Sequence, residues 1–221
     1  AGPPWADHAG ADGGRLSDLR PLQVDFFDQP VDVVARALLG TRLISTIGGV
    51  TCAGVIVETE AYGGPEDPAS HASTRVGITA RNRAMFGPAG RVYVYRSYGV
   101  HWCLNVVTGP DGRGEAVLLR GLDPTEGLEV MTRRRGGSTP LAAGPGRLAQ
   151  ALGVDGSLYG HPVDQAPLLI ADGWTVPDRD VVVTGRVGIS TAADWPLRFY
   201  VAGSSGVSAP SSRPSLPEPP V

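Results

Sequence analysis

A chain of 221 residues with 42% apolar content is long enough to bury one sizeable core, and nothing divides it into two. It has no run near the roughly 18 apolar residues of a membrane span, and no charged-then-apolar start that would read as a secretory signal. Its net charge of −3 argues at first against a nucleic-acid partner, and its two cysteines, Cys52 and Cys103, lack a Cys-x-x-Cys spacing and read as small apolar fillers in a reducing cytosol.

Residues 1–20, rich in Gly, Pro, Ala and Asp without a period, read as a flexible leader. A helix is predicted from Asp28-Gln29-Pro30, with Val31, Val34, Ala35 and Leu38 on one face, an Asp32–Arg36 pair on the other and Gly40 as its end. Strand-like runs at Thr41–Ser45 and Thr51–Tyr62, split by Gly48-Gly49, predict a hairpin. Residues 63–90 have no periodicity; a loop of that length between firm strands is a functional one. Arg91–Ser97 and His101–Val107 alternate as a second hairpin, and Glu115–Arg120 makes a further strand.

Asp123-Pro124-Thr125-Glu126 is read as a helix start, with Arg133-Arg134-Arg135 in the last turn, an order that suits the helix dipole. Gly144-Pro145-Gly146-Arg147 opens a short helix that ends at Gly153, and short strands are expected at Val181–Thr184, Arg186–Ile189 and Leu197–Val201. Residues 204–221 are Ser/Pro-rich and read as a disordered tail, which leaves 21–203 as one folded domain.

Charge resolved along the chain reverses the first impression. Residues 1–69 carry 4 Arg against 10 acids, residues 70–150 carry 11 against 5, and residues 151–221 carry 4 against 7. A basic excess inside an acidic chain is the footprint of a phosphate-facing surface; the alternative is a set of solvated faces of differing sign. All 19 basic residues are arginine.

The unusual chemistry lies between Val55 and Asn105. On a strand, Glu58, Glu60 and Tyr62 share one face, and carboxylates two positions apart lie about 6.6–6.8 Å from one another. Buried carboxylates are costly unless paired or employed. Glu58 is read as a structural ion pair with nearby arginines and Glu60, beside Tyr62, as a general base. Tyr98 next to Gly99 falls where the second hairpin must reverse, so it is either a wedge between stacked bases or a tip folded back onto the core. His71 sits in the polar loop, and Asn105 is either satisfied structurally or reads a ligand edge.

Taken together, Ala35-Arg36-Ala37-Leu38-Leu39-Gly40, Val57 to Tyr62, Gly64-Pro65-Glu66-Asp67, Arg81-Asn82-Arg83, Tyr93 to Asn105, Leu118-Leu119-Arg120, Gly144-Pro145, Arg186-Val187-Gly188 and Leu197-Arg198-Phe199-Tyr200-Val201 resemble, in order, the alkyladenine (3-methyladenine) DNA glycosylase family of the mammalian type. The resemblance covers roughly residues 22–202. It implies an α+β fold, a single compact domain with a curved antiparallel sheet, surrounding helices and a protruding β-hairpin. It implies a DNA glycosylase of base excision repair that flips alkylated or deaminated purines out of double-stranded DNA and hydrolyses the N-glycosidic bond, with no metal and no organic cofactor, and the absence of lysine makes the expected enzyme monofunctional.

Carried over by position, Glu60 would activate the water, with Arg120 and the Val187 carbonyl holding it. Tyr62, His71 and Tyr95 would stack on the flipped base, Asn105 would crowd the 2-amino group of guanine, and Tyr98 would fill the gap in the duplex. Arg75, Arg81, Arg83, Arg96 and Arg147 are the candidates for the DNA backbone. His101 departs from the family pattern, which has a bulkier aromatic there, and so do the acidic flanks. A monomer is expected, in the cytoplasm with the nucleoid if the source is bacterial. With no lysine to form a Schiff base, only the Ala1 amine remains, and strand cleavage is not expected. The competing readings are a carbohydrate glycosidase using Glu58 and Glu60, and a non-catalytic binder of damaged DNA. A zinc deaminase is disfavoured, because the Pro-Cys-x-x-Cys element is missing.

Overall fold

The computed structural model describes residues 19–208. The expected leader, up to residue 18, and the expected tail, from residue 209, lie outside the described residues.

A one-turn helix α1 (Val24–Phe27) precedes α2 (Val31–Ala37), which buries Val31, Val34 and Ala35 as their spacing predicts. Arg36 does not pair with Asp32; it reaches across to Asp178 at 2.7 Å and to the Val176 carbonyl, fixing α2 to the far end of the chain. Strands β1 (Arg42–Ser45) and β2 (Cys52–Tyr62) form the expected antiparallel hairpin. The long loop follows, with a single 3-10 turn at Arg83–Phe86, and then the second hairpin, β3 (Val92–Ser97) and β4 (His101–Thr108).

Strand β5 (Glu115–Glu126) runs six residues beyond the expected end at Arg120. Asp123-Pro124-Thr125-Glu126 is therefore strand and not helix start. These residues pair with β2, and α3 (Leu128–Arg134) begins only after Gly127, at φ 74, has turned the chain. Helix α4 (Pro145–Leu152) is as predicted. Strands β6 (Asp164–Gln165) and β7 (Leu168–Ala171) went unpredicted, being short. Strands β8 (Val181–Thr184) and β9 (Arg198–Val201) close the chain. Arg186–Ile189, expected as a strand, is an irregular loop, broken by Gly188 at φ 76.

The sheet is antiparallel throughout, in the order β3-β4-β5-β2-β1-β7-β6, and it forks at β2. One edge of β2 pairs with β5 along its length, while the other pairs first with β1 and then, at Glu58–Glu60, with β9. At 11 residues, about 36 Å, β2 is long enough for both. Ten of those residues are buried, so both faces of this strand are interior and its carboxylates lie inside the protein. The β2–β5 register shifts on either side of Glu58, so that Glu58 faces Gly121 and Thr59 faces Leu119. That irregularity leaves Arg120 as the extra residue opposite the two glutamates.

The main core lies between this sheet and α2, α3 and α4, with Leu38, Leu43, Ile56, Leu104, Leu119, Leu122 and Leu152 among its fully buried members. A second, smaller cluster of Ala72, Met85, Tyr93, Val107 and Ala116 lies against Tyr62, Phe86 and Tyr95. It joins the long loop to the sheet. No helix among the described residues is long and apolar enough to cross a membrane.

Candidate active site

Glu60 is fully buried in the last third of β2. Its Oε1 accepts the Val187 amide at 2.7 Å, and its Oε2 accepts the Tyr62 hydroxyl at 2.9 Å and Arg120 Nη1 at 3.3 Å. A carboxylate has about four acceptor sites, so three donors leave room for one more, such as a water. Burial pushes the Glu60 carboxyl above its ordinary value, while Arg120, the Val187 amide and Tyr62 pull it back in part. The result is a carboxylate more basic than an exposed one, which is what proton abstraction requires.

Glu58 has a different environment. Its Oε1 accepts Arg120 Nε at 3.1 Å, Arg198 Nε at 2.7 Å and the Ser208 hydroxyl at 2.8 Å, and its Oε2 accepts the Ser208 amide at 2.7 Å. Four donors saturate it, which leaves Glu58 a structural ion-pair partner.

A cavity of about 280 Å³ is lined by Tyr62, the residue bonded to Glu60, with His71, Met85, Tyr93, Tyr95, Asn105 and Ile189, among others. This lies near the lower end of the roughly 300–1,000 Å³ of ligand pockets and suits one planar ring system. His71 Nδ1 lies 2.8 Å from the Tyr93 hydroxyl, and the His71 ring meets Tyr95 edge-on at 4.5 Å. Burial lowers the pKa of His71 and Arg81 adds to the effect, so the ring is neutral near pH 7. Burial raises the phenols of Tyr62, Tyr93 and Tyr95, which all keep their protons. Asn105 Nδ2 donates to the Tyr93 carbonyl at 2.9 Å, which holds the amide rigidly at the pocket floor.

The loop that carries Val187 is fixed from behind. Arg186 donates to Asp67 through both terminal nitrogens, at 2.5 and 2.9 Å, and to the Ala61 carbonyl, while its guanidinium lies 4.7 Å over the Tyr62 ring. Burial pushes the Asp67 carboxyl up, but the Arg186 bonds and the amides of Ala69 and Gly63 outweigh it and leave it lowered, so the pair is ionised. On the other side Asn82 accepts from the Thr79 amide and donates to the carbonyls of His71 and Gly77, which shapes the loop that presents His71.

The expected residues converge in two groups. Glu60, Arg120, Val187 and Tyr62 form one, and His71, Tyr95 and Asn105 line the cavity beside it. Val187 contacts Glu60 through its amide, a bond additional to the water contact expected of its carbonyl. Tyr98 stands at the hairpin tip, 92% exposed, at φ 50, with Gly99 at φ 71 beside it in a tight turn closed by the Val100 amide on the Ser97 carbonyl. It is not folded back onto the core. His101 packs against the backbone of Gly146 in α4.

Arg75, Arg81, Arg83, Arg96 and Arg147 are all exposed. Arg81 also lines the cavity, lies 5.3 Å over the Tyr95 ring and bonds the Arg96 carbonyl. The basic excess of residues 70–150 is only partly free at the surface: Arg120 is buried with Glu58 and Glu60, half-buried Arg134 is held by the Ile47 and Ala151 carbonyls, and exposed Arg113 is paired with Glu66 and Glu115.

Tyr93, Asp67, Arg186 and Asn82 were not singled out from sequence. Tyr93 alternates with Tyr95 on β3, so strand periodicity could have found it. The partners of the other three are remote or backbone groups. Among the described residues no His, Cys, Asp and Glu cluster could hold a metal ion, and both cysteines are buried and free.

Residues 25–205 match the family model described as Methylpurine-DNA glycosylase (MPG). A protein of Methanoculleus marisnigri named "Putative 3-methyladenine DNA glycosylase" is 50% identical over 192 residues, which is 85% of this chain and 98% of that protein. Proteins of the same name from Rhodopseudomonas palustris and Carboxydothermus hydrogenoformans are 49% and 45% identical, over 86% and 85% of this chain and 91% and 98% of theirs.

Proposed function

The chain belongs to the methylpurine-DNA glycosylase family, and on that premise we propose that it removes alkylated purines from duplex DNA by flipping the damaged nucleotide and hydrolysing its N-glycosidic bond with a water activated by Glu60. The observation that carries this reading is the Glu60 carboxylate: buried, raised in basicity, held by three donors where it can accept about four, and bonded to Tyr62 of a tyrosine-lined cavity.

A base inside a duplex is out of reach of a buried carboxylate, so the nucleotide must leave the stack. Tyr98 then enters the space left behind, a role its exposed ring on a tight turn supports. The extruded base stacks on Tyr62, Tyr95 and the edge of His71. Alkylation at N3 or N7 makes a purine cationic, which strengthens stacking on neutral tyrosines and weakens the bond to the sugar. Asn105, locked onto the Tyr93 carbonyl, cannot swing away to admit the 2-amino group of guanine.

When the C1′–N bond breaks, its electrons leave with the base, and a cationic purine departs as a neutral molecule. The sugar becomes oxocarbenium-like and is stabilised by the ionised Glu60. Water oxygen then bonds to C1′ and its proton passes to Glu60, which leaves an abasic site. Saturation of Glu58 by four donors weighs against sugar hydrolysis by paired carboxylates, which needs both groups free on opposite sides of a ring.

Glu60→Gln tests the reading. The variant should hold a duplex containing 7-methylguanine as tightly as the parent while base release is lost. Release at the parental rate would refute general-base catalysis by Glu60, and a parent chain that binds without releasing any base would leave a non-catalytic binder.

A further inference from the structure

The segment from Ser204 to Ser208, Ser-rich and expected to be disordered, is fastened across the back of the site. The Ser204 and Ser205 hydroxyls donate to Asp123 at 2.7 and 3.3 Å. The Gly206 carbonyl lies so near Gly121 that a Cβ there would approach it to 2.4 Å, so the strap crosses β5 only because residue 121 is glycine. The strap delivers Ser208 into the buried ion cluster. Its amide and hydroxyl both donate to Glu58, its hydroxyl accepts Arg120 Nη2 at 3.2 Å, and its carbonyl accepts Arg198 Nη2 at 3.2 Å.

Arg120 is thus held by all three of its nitrogens: Nε by Glu58, Nη2 by Ser208, and Nη1 by Glu60. A planar guanidinium fixed at two nitrogens has its third direction determined. We propose that Ser208 is a positioning residue of this enzyme, whose hydroxyl joins Glu58 to Arg120 and so keeps Arg120 aimed at Glu60. The inference rests on Glu60 being the general base.

The bond it protects is the longest of the three on Glu60, at 3.3 Å, and the easiest to lose. Without the hydroxyl, Glu58 lacks one of its donors and draws Arg120 toward itself, and Glu60 loses its main compensating charge. The groups facing Glu60 are Glu58 and Tyr62 of its own strand, Arg120 of β5, Arg198 of β9, the Val187 amide and Arg186 of the loop, and Tyr95 and Cys103 of β3 and β4. Arg120 is the nearest cation to the carboxylate, so any loss of its contact makes Glu60 harder to ionise.

The experiment is single-turnover release of 7-methylguanine from duplex DNA, followed from acid to alkaline pH, for the parent, Ser208→Ala, Ser208→Thr and Glu60→Gln, with melting temperature and duplex affinity measured alongside. Ser208→Ala should slow release by about tenfold, the scale of one hydrogen bond to a charged group. Its acid limb should move to higher pH at unchanged affinity, and threonine, which retains the hydroxyl, should restore both. An acid limb unmoved in Ser208→Ala overturns the proposal, whether or not the melting temperature falls. If Glu60→Gln is inactive while Ser208→Ala keeps the parental limb, only the role of Ser208 is lost; if Glu60→Gln releases base normally, the general-base reading falls and this inference with it.

Discussion

The Tyr62 hydroxyl donates to Glu60 Oε2 at 2.9 Å, so a residue that lines the cavity also holds the buried carboxylate. Burial, and then Glu60 itself, push the Tyr62 phenol well up, so it remains a donor across the accessible pH range. Tyr62→Phe keeps the stacking face and removes the donor. Glu60 is already raised by burial, and losing one of its three offsetting contacts raises it further. On the proposed mechanism base release needs the ionised form, and is lost as pH falls through the folded pKa. The acid limb of the release profile should therefore move to higher pH in Tyr62→Phe, with duplex affinity within about twofold of the parent. A limb at the parental pH would show that the hydroxyl does not hold the working carboxylate.

Asp67 and Arg186 lie 119 positions apart, both buried, and make a two-point ion pair that fixes the Val187 loop. Breaking a buried pair from one side costs about 3–5 kcal/mol, because the surviving charge is left without compensation. Asp67→Leu and Arg186→Met should each lower the melting temperature by roughly 6–20 °C at about 2–4 °C per kcal/mol. The double variant should recover much of the stability and little of the activity, since the Val187 amide loses its anchor either way. Thermal melts of the three variants check this, and additive losses in the double would argue that the two residues act separately.

Tyr98 adopts a backbone conformation that costs an L-residue about 1–2 kcal/mol and keeps its ring in solvent. Stability does not explain that position. Tyr98→Ala should leave the melting temperature nearly unchanged and slow release from a paired duplex by tenfold or more. Release of a lesion in a single strand, which has no stack to open, should hardly change. Equal losses on both substrates would remove Tyr98 from the opening step.

No lysine occurs in the 221 residues, so no side-chain amine of this chain can attack C1′. Incubation with damaged duplex should yield abasic sites that break only on heating or added base, and borohydride should trap no covalent complex. A trapped complex would contradict hydrolysis by water.

The legible parts of the site were those written in strand periodicity. Glu60 and Tyr62 share a face by their spacing, and the reversal at Tyr98-Gly99 follows from a hairpin whose halves alternate. Contributions from the backbone were not legible: the Val187 amide, which donates to Glu60, has no residue-type signature. Asp123-Pro124 looked like a helix start because an acid before proline is one locally. The structure uses that acid to hold Ser204 and Ser205, while β2 keeps the segment extended. Composition likewise hid the strap: Ser/Pro richness from Ser204 onward suggested disorder, but Ser204, Ser205 and Ser208 carry hydroxyls that donate to buried carboxylates.

The donors on Glu60 come from residues 62, 120 and 187, and its neighbour Glu58 is completed only by residue 208. During synthesis at about 5–20 residues per second, Glu60 would emerge roughly 7–30 s before Ser208. Over that interval Tyr62, Arg120 and Val187 are made, while Glu58 still lacks both of its Ser208 donors. On the proposed role of Ser208, a product cut short before residue 208 would carry Glu60 without the strap that aims Arg120 at it.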